Sequence, residues 1–374
     1  MKIIIPQGFK AGAVASGIKK REKLDLALIF SQVPSKAAAM FTTNNFPAAP
    51  VKVCREHLNK GRSQAVIVNS GNANSFTGQA GIKDARATAA LLAANLGIKK
   101  EGVLVASTGI IGKRLPMDKI KAGVPLLVKG LSAAGIHKAA RAIMTTDTFP
   151  KLAGAEFTCG GKKITVTGMT KGAGMIAPNM ATMLCFIMTD ARIESGALKA
   201  GLRAAVNASF NCITIDGCMS TNDMVLAMAN GYAENPAIKA GSASFKKFQH
   251  ALSSVCLLLA KMMVIDGEGA TKFIEIKVKG ARNDAQAKKA ALAVANSNLV
   301  KTAIYGENPN WGRIVCAIGA SGVEVKEETL KVKFSPLAKK DIFIEADLNI
   351  GKGEAVTYTS DLTPEYIKIN AEYN

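Results

Sequence analysis

The sequence predicts a mixed α/β fold, and three observations carry that prediction. Apolar runs of strand length recur from one end of the chain to the other, segments with helical spacing separate them, and polar Gly/Asn/Ser loops follow several strands. Strands interleaved with helices over both halves build sheets covered by helices. A chain of 374 residues with 48% hydrophobic content is long enough for one large core or two medium ones.

Residues 23–30 (KLDLALIF) and 37–44 (AAAMFTTN) alternate as strands do, with turns at Pro34 and Pro47, and residues 51–61 have helical spacing. The run AVIVNSGNANSFTG, from Ala65, is a buried strand ending in a polar loop that leads into a helix over residues 81–96. Such a loop is a usual place for a binding site, although turn chemistry alone explains each Asn. The pattern returns at GVLVASTGIIGKRL, where a strand ends in Ser107, Thr108 and Gly109 before a helix over residues 117–131. Backbone N–H groups and a hydroxyl at a strand end can donate to a developing negative charge. The G-x-x-x-x-G-K-[ST] spacing is absent, which rejects a Walker phosphate loop.

A short helix over residues 139–145 runs into MTTDTFPK, whose threonines around Asp147 can cap a helix or meet a polar ligand. The stretch AEFTCGGKKITVTG reads as a hairpin turning at Gly160-Gly161. Further on come a strand over 183–188, a helix over 195–207 and the turn SFNCITIDGCMSTND. A metal site at Asp216 and Asp223 is conceivable there, but a structural turn with no catalytic role is the reading adopted. A long helix over 245–265 ends in DGEGATK, where two glycines let Glu268 project either as a solvated charge or as a partner near a nucleophile. A strand over 273–278, a helix over 285–295 and the motif YGENPNWGRI follow, with Trp311 read as a packing residue. The tail reads as hairpin strands closing with a C-terminal strand.

Composition narrows the function. The net charge of +20 invites a nucleic-acid reading, but the basic residues are dispersed and only 5% of residues are aromatic, too few for a stacking platform. A positive field equally draws in acidic small molecules, and these rank higher. The apolar run over residues 255–265 is interrupted by Lys261 and falls short of the roughly 18 residues of a membrane span. With MKIIIPQGF too short for a signal segment, a cytoplasmic protein is the expectation. Cys54, Cys159, Cys185, Cys212, Cys218, Cys256 and Cys316 form no CxxC pair, so buried free thiols are expected. The only histidines, His57, His137 and His250, sit in polar or Lys-rich surroundings, which disfavours a histidine metal site or a Ser-His-Asp triad.

The segment from Lys171 to Ala191, KGAGMIAPNMATMLCFIMTDA, suggests another nucleophile. Its first half is a glycine-rich turn broken by Pro178, its second an apolar strand, and Thr182 stands between them. A Thr at the mouth of a strand is ordinarily a β-branched residue in its favoured place. Here Gly172, Gly174 and Ala181 keep the preceding backbone free of bulk, so the hydroxyl could attack its own preceding carbonyl. Breaking the Ala181–Thr182 bond would give Thr182 a free α-amine, a base of pKa ~8 beside the hydroxyl it must activate.

KGAGMIAPNMATML resembles the self-cleavage segment of the ornithine acetyltransferases, the glutamate N-acetyltransferases of arginine biosynthesis. GFKAGAVASGIK, FTTNNFPAAPV, VNSGNAN, STGIIG, TTDTFPK, DGEGATK, NPNWGRI and SDLTPEYIKINAEY appear in that family's order, so the resemblance spans nearly the whole chain. It implies mixed sheets layered between helices, an αββα-like sandwich, and a precursor that splits into an α-chain, residues 1–181, and a β-chain, residues 182–374. These would remain together, commonly as α2β2. By resemblance Thr182 is the nucleophile, Thr108 and Gly109 form the oxyanion hole, and Thr145, Lys171, Glu268 and Asn370 contact substrate. The family's terminal Thr would fall one residue beyond Asn374, and Cys218 stands where the family usually has an acid.

The implied reaction carries acetyl from N2-acetyl-ornithine to glutamate through an acetyl-Thr182 ester, with no metal and no bound cofactor, and with acetyl-CoA as a conceivable co-substrate. Neither nucleic acid nor membrane is an expected partner. The rivals are a related self-cleaving aminopeptidase, which uses water as acceptor, and a basic nucleic-acid-binding protein, which would lose its ligand steeply with salt.

Overall fold

The computed structural model describes residues 3–20, 22–177 and 183–372. They fall into two compact units: the first takes Met1–Gly172, Asn179–Ser209 and Met219–Leu259, the second Ala173–Pro178, Phe210–Cys218 and Ala260–Asn374. Both units therefore draw on both sides of the expected 181/182 division.

In the first unit the chain runs β1 (Phe9–Val14), β2 (Leu26–Phe41), α1 (Ala49–His57), β3 (Arg62–Asn72), α2 (Gly78–Leu96), β4 (Val103–Ile110), α3 (Met117–Lys129) and α4 (Ile136–Ala142). It continues with β5 (Lys151–Cys159), β6 (Lys162–Lys171), β7 (Leu184–Thr189), α5 (Ser195–Asn207) and β8 (Met224–Ala229). The strands form one mixed sheet in the order β4-β3-β2-β8-β7-β6-β5, with β1 also on β2. The pairs β3·β4 and β7·β8 are parallel. Every residue of β7 (LCFIMT) and β8 (MVLAMA) is buried, which explains their unbroken apolar runs. Strand β2 changes neighbours along its length: Leu26–Phe30 faces Ala65–Asn69, while Lys36–Phe41 faces Ala229–Met224. Pro34, expected at a turn, lies inside β2 where the register with β3 shifts between Phe30 and Ser35. A proline has no N–H to give to a ladder, so an irregularity is where a strand tolerates it.

Helix α6 (Ala243–Ile265) is 23 residues long and, among the described residues, the one helix apolar enough by length and composition to cross a membrane. This corrects the expectation that no such stretch exists. Phe248, Leu252, Val255, Cys256, Leu259 and Met263 are buried along it, as in a core helix.

The second unit holds β9 (Phe273–Ala281), α7 (Asp284–Asn296), α8 (Asn298–Tyr305), α9 (Trp311–Ala320), β10 (Lys331–Phe334), β11 (Asp341–Asp347), β12 (Gly353–Ser360) and α10 (Pro364–Ala371). Its mixed sheet has the order β10-β11-β9-β12, with β9 and β11 parallel. Ile274, Ile276, Ile342 and Ile344 meet Ala287, Ala290, Ala291 and Val294 of α7 in its core. The small alanines let the helix lie close to the sheet.

Two expectations fail here. The chain ends in a helix, not a strand: Thr363 accepts from the Tyr366 N–H and Pro364 takes the first helical position, a start signal that outweighs the β-branched tail. Trp311 is 62% exposed, because it opens α9 beyond the buried stripe of Ile314 and Ile318. Cys54, Cys159, Cys185 and Cys256 are buried free thiols as expected, while Cys218 and Cys316 are exposed. Burial pushes the Cys54 thiol up to about 12, which keeps it unreactive.

Candidate functional site

Parallel strands β3 and β4 end side by side, and their ends carry the polar loops. Ser70 and Gly71 pair with Thr108 and Gly109. The ends are tied together by side-chain amides. The Ser107 hydroxyl donates to Asn69 Oδ1 at 2.6 Å, and Asn69 Nδ2 donates to the Asn72 carbonyl at 2.8 Å. Asn222 Nδ2 donates to the carbonyls of both Ala73 (2.7 Å) and Ser107 (2.8 Å). Gly109 has φ +133°, and a Cβ there would stand 2.3 Å from the Gly71 carbonyl carbon. Only glycine fits this strand end.

Lys171 closes β6 with its side chain buried, and its Nζ donates to Thr108 Oγ1 at 3.4 Å. Thus two residues 63 apart in sequence meet in a buried setting. Behind Lys171 lies Asp147. Its Oδ1 accepts from Lys151 Nζ at 2.7 Å and from the Gly172 N–H at 2.7 Å, and its Oδ2 accepts from the Thr145 N–H at 2.9 Å. The Asp147 and Lys151 side chains are both 0% exposed. Burial opposes the Asp147 charge, but Lys171, Lys151 and the Gly172 N–H outweigh it and hold the carboxyl well below the usual range. Lys19, which donates to the Met144 carbonyl at 2.6 Å, is drawn down to about 8 by burial and by Lys171, against the pull of Asp25 and Asp147.

Thr182 and Ala181 lie outside the described residues. The neighbour of Thr182 is seen: the Met183 N–H donates to Asp223 Oδ1 at 2.7 Å, and Met183 returns its carbonyl to the Met224 N–H at 3.0 Å. The entry to β7 is thereby pinned to the start of β8.

The second unit positions Glu268 and Asn370. Asn370 Nδ2 donates to Glu268 Oε2 at 2.9 Å, and the Glu268 N–H donates to the Ala173 carbonyl at 2.8 Å. A Cβ on Gly174 would stand 2.1 Å from Glu268 Oε2, so a larger residue there would displace this carboxylate. Asp216 accepts from the N–H groups of Met175 (2.6 Å), Ile176 (2.9 Å) and Cys218 (3.0 Å), and from the Tyr366 hydroxyl at 3.2 Å. Burial and the Asp216 charge push the Tyr366 phenol well above its ordinary range, so it stays a donor.

Of the sequence-predicted residues, the first unit thus brings together Thr108, Gly109, Lys171 and, through Asp147, Thr145, and the second brings together Glu268 and Asn370. Sequence reasoning missed Asp147, Lys151, Asn222 and Asp223 as structural partners of these residues. The signal for the first two was an acid and a base four residues apart beside an apolar hairpin; for the others, a polar STND run before an apolar run. Asp216 holds its turn through its four bonds to Met175, Ile176, Cys218 and Tyr366. Among the described residues no cluster of three or more His, Cys, Asp or Glu could hold a metal ion.

A family model described as the ArgJ family matches residues 10–374. The arginine biosynthesis bifunctional protein ArgJ of Geobacter sulfurreducens is 49% identical over 388 residues, spanning 98% of this chain and 99% of that protein. The protein of the same name from Symbiobacterium thermophilum is 47% identical over 393 residues, spanning 99% and 98%. Among solved structures, the arginine biosynthesis bifunctional protein ArgJ of Bacillus halodurans is 43% identical, with a TM-score of 0.46 over 47% of this chain and 92% of that one. Ornithine acetyltransferase complexed with ornithine, from Mycobacterium tuberculosis, is 42% identical, with a TM-score of 0.42 over 48% and 96%.

Proposed function

Because the chain belongs to the ArgJ family, we propose that it splits before Thr182 and carries acetyl groups on that residue. The protein is an acyltransferase of arginine biosynthesis that transfers acetyl from N2-acetyl-ornithine to glutamate. In the proposed cycle the Thr182 α-amine takes the hydroxyl proton and the oxygen adds to the acetyl carbonyl. Thr108 and Gly109 hold the resulting oxyanion. Collapse expels ornithine as the amine, which takes up the proton, and leaves the ester on Thr182. The glutamate amine then adds to the ester carbonyl, and collapse returns the Thr182 hydroxyl and releases N-acetyl-glutamate. Thr145 and Asn370 contact substrate, Lys171 pairs with its carboxylate, and Glu268 pairs with its amine.

The observation that supports this reading best is the buried approach of Lys171 Nζ to Thr108 Oγ1 at 3.4 Å, a cation beside the hydroxyl assigned to the oxyanion. No bound cofactor enters the cycle. Acetyl-CoA serves as a further donor, in line with the word bifunctional in the relatives' name. The split chains, residues 1–181 and 182–374, assemble as α2β2 in the cytoplasm. Family membership does not favour the hydrolase alternative.

Intact mass under denaturing conditions tests the reading. Wild-type protein should give two chains, with an added acetyl mass on the chain beginning at Thr182 after exposure to N2-acetyl-ornithine. Thr182→Ala should give one chain and no transfer; a Thr182→Ala protein that splits and transfers at the wild-type rate ends the proposal.

A further inference from the structure

We infer that Asp147 is a positioning residue for acetyl transfer: its buried carboxylate presents Lys171 and the Thr145 turn to the substrate carboxylate. Three attachments converge on it. Lys151, the first residue of β5, reaches Oδ1 at 2.7 Å, the Gly172 N–H reaches the same oxygen at 2.7 Å, and the Thr145 N–H reaches Oδ2 at 2.9 Å. Lys151 pairs with Thr170, the residue before Lys171, across the β5·β6 ladder, and the charges of Lys151 and Lys171 both act on the Asp147 carboxylate. Two such charges in a buried setting repel, and the anion beside them offsets that repulsion. Asp147 therefore does more than fill a turn. It fixes the backbone of one residue assigned to substrate and of the residue following another, and it sets the charge balance around Lys171.

A merely structural role and a positioning role part company in a pair of variants. Asp147→Asn keeps the shape but removes the charge that Lys151 Nζ meets at 2.7 Å and turns one of the two acceptor oxygens into an NH2. Asp147→Asn combined with Lys151→Met also removes that buried cation, so stability should return in part. The negative charge that acts with Lys171 is, however, still missing. Both variants are measured as full-length protein by melting temperature, by intact mass for splitting, and by steady-state acetyl transfer from N2-acetyl-ornithine to glutamate.

The expected result is a melting temperature lowered in the single variant and partly restored in the double one, with KM for glutamate raised about tenfold or more in both and kcat changed less. A double variant with wild-type KM overturns the inference. So does failure of both variants to fold, which would make Asp147 structural. The substrate roles of Thr145 and Lys171 come from the proposed acetyl transfer. Wild-type protein that transfers no acetyl group thus overturns the proposed function and the Asp147 role together, whereas wild-type transfer with an unmoved KM overturns the Asp147 role alone.

Discussion

Gly109 and Gly71 meet backbone to backbone where β4 and β3 end, so closely that a Cβ at position 109 would stand 2.3 Å from the Gly71 carbonyl carbon and 2.5 Å from the Asn72 nitrogen. Gly109→Ala must therefore part the two strand ends and displace Thr108. Transfer should fall on the order of a hundredfold or more, the loss typical of a damaged oxyanion site. Steady-state rates on folded variant check this, and an alanine variant at the wild-type rate would remove Gly109 from the oxyanion role.

Asn370→Ala withdraws the amide that holds Glu268 Oε2 at 2.9 Å. Glu268 would then sample other rotamers, so KM for N2-acetyl-ornithine should rise about three- to tenfold while kcat stays within about twofold. Initial-rate kinetics over a range of donor concentrations separate the two effects; a fall confined to kcat would contradict a binding role.

Asp216 anchors the N–H groups of Met175 and Ile176, which precede the expected scissile bond in the chain. Asp216→Asn removes the charge and turns one of the two acceptor oxygens into an NH2, and should slow splitting about tenfold or more. The decay of intact-chain mass with time after expression follows it. An unaltered time course would separate this turn from maturation.

Lys301 is 2% exposed, and burial holds its ammonium at about 8, despite Asp216 and Asp361, against an ordinary value of 10.5. Between those pH values the unfolded chain holds a proton that the folded chain has released, so stability rises with pH across the window and is flat below it. Relative to Lys301→Met, the wild type should gain ~3 kcal/mol between pH 8 and 10.5. Urea unfolding of both proteins at several pH values measures the difference; a constant difference would contradict the burial of this charge.

Strands flanked by turn residues were legible: β3 and β4 announce themselves as apolar runs closed by Asn or Gly, β6 by the Gly160-Gly161 turn before it, and β7 as an apolar run. Strand β8 was not, because five of the six residues of MVLAMA are Met, Leu or Ala, which favour helices, and its place between β2 and β7 makes it a strand. Helix α10 was hidden by a tail rich in β-branched residues, although Thr363-Pro364-Glu365 carried the start signal. At the candidate site, Thr108, Gly109, Lys171 and Glu268 stand in short motifs, and the family resemblance of those motifs is what singled them out. Asp147 could not be assigned in the same way. A carboxylate in a threonine-rich turn looks solvated until the fold shows Lys151, Gly172 and Thr145 enclosing it.

The carboxamide of Asn222 bridges Ala73 and Ser107 at once. A latch of this kind, added to the Ser107–Asn69 bond and the β3·β4 ladder, couples the opening of two neighbouring strand tips. Deuterium uptake around both tips would then rise in step on heating, and Asn222→Ala would lower both protections by a similar factor while leaving the middle of the sheet unchanged.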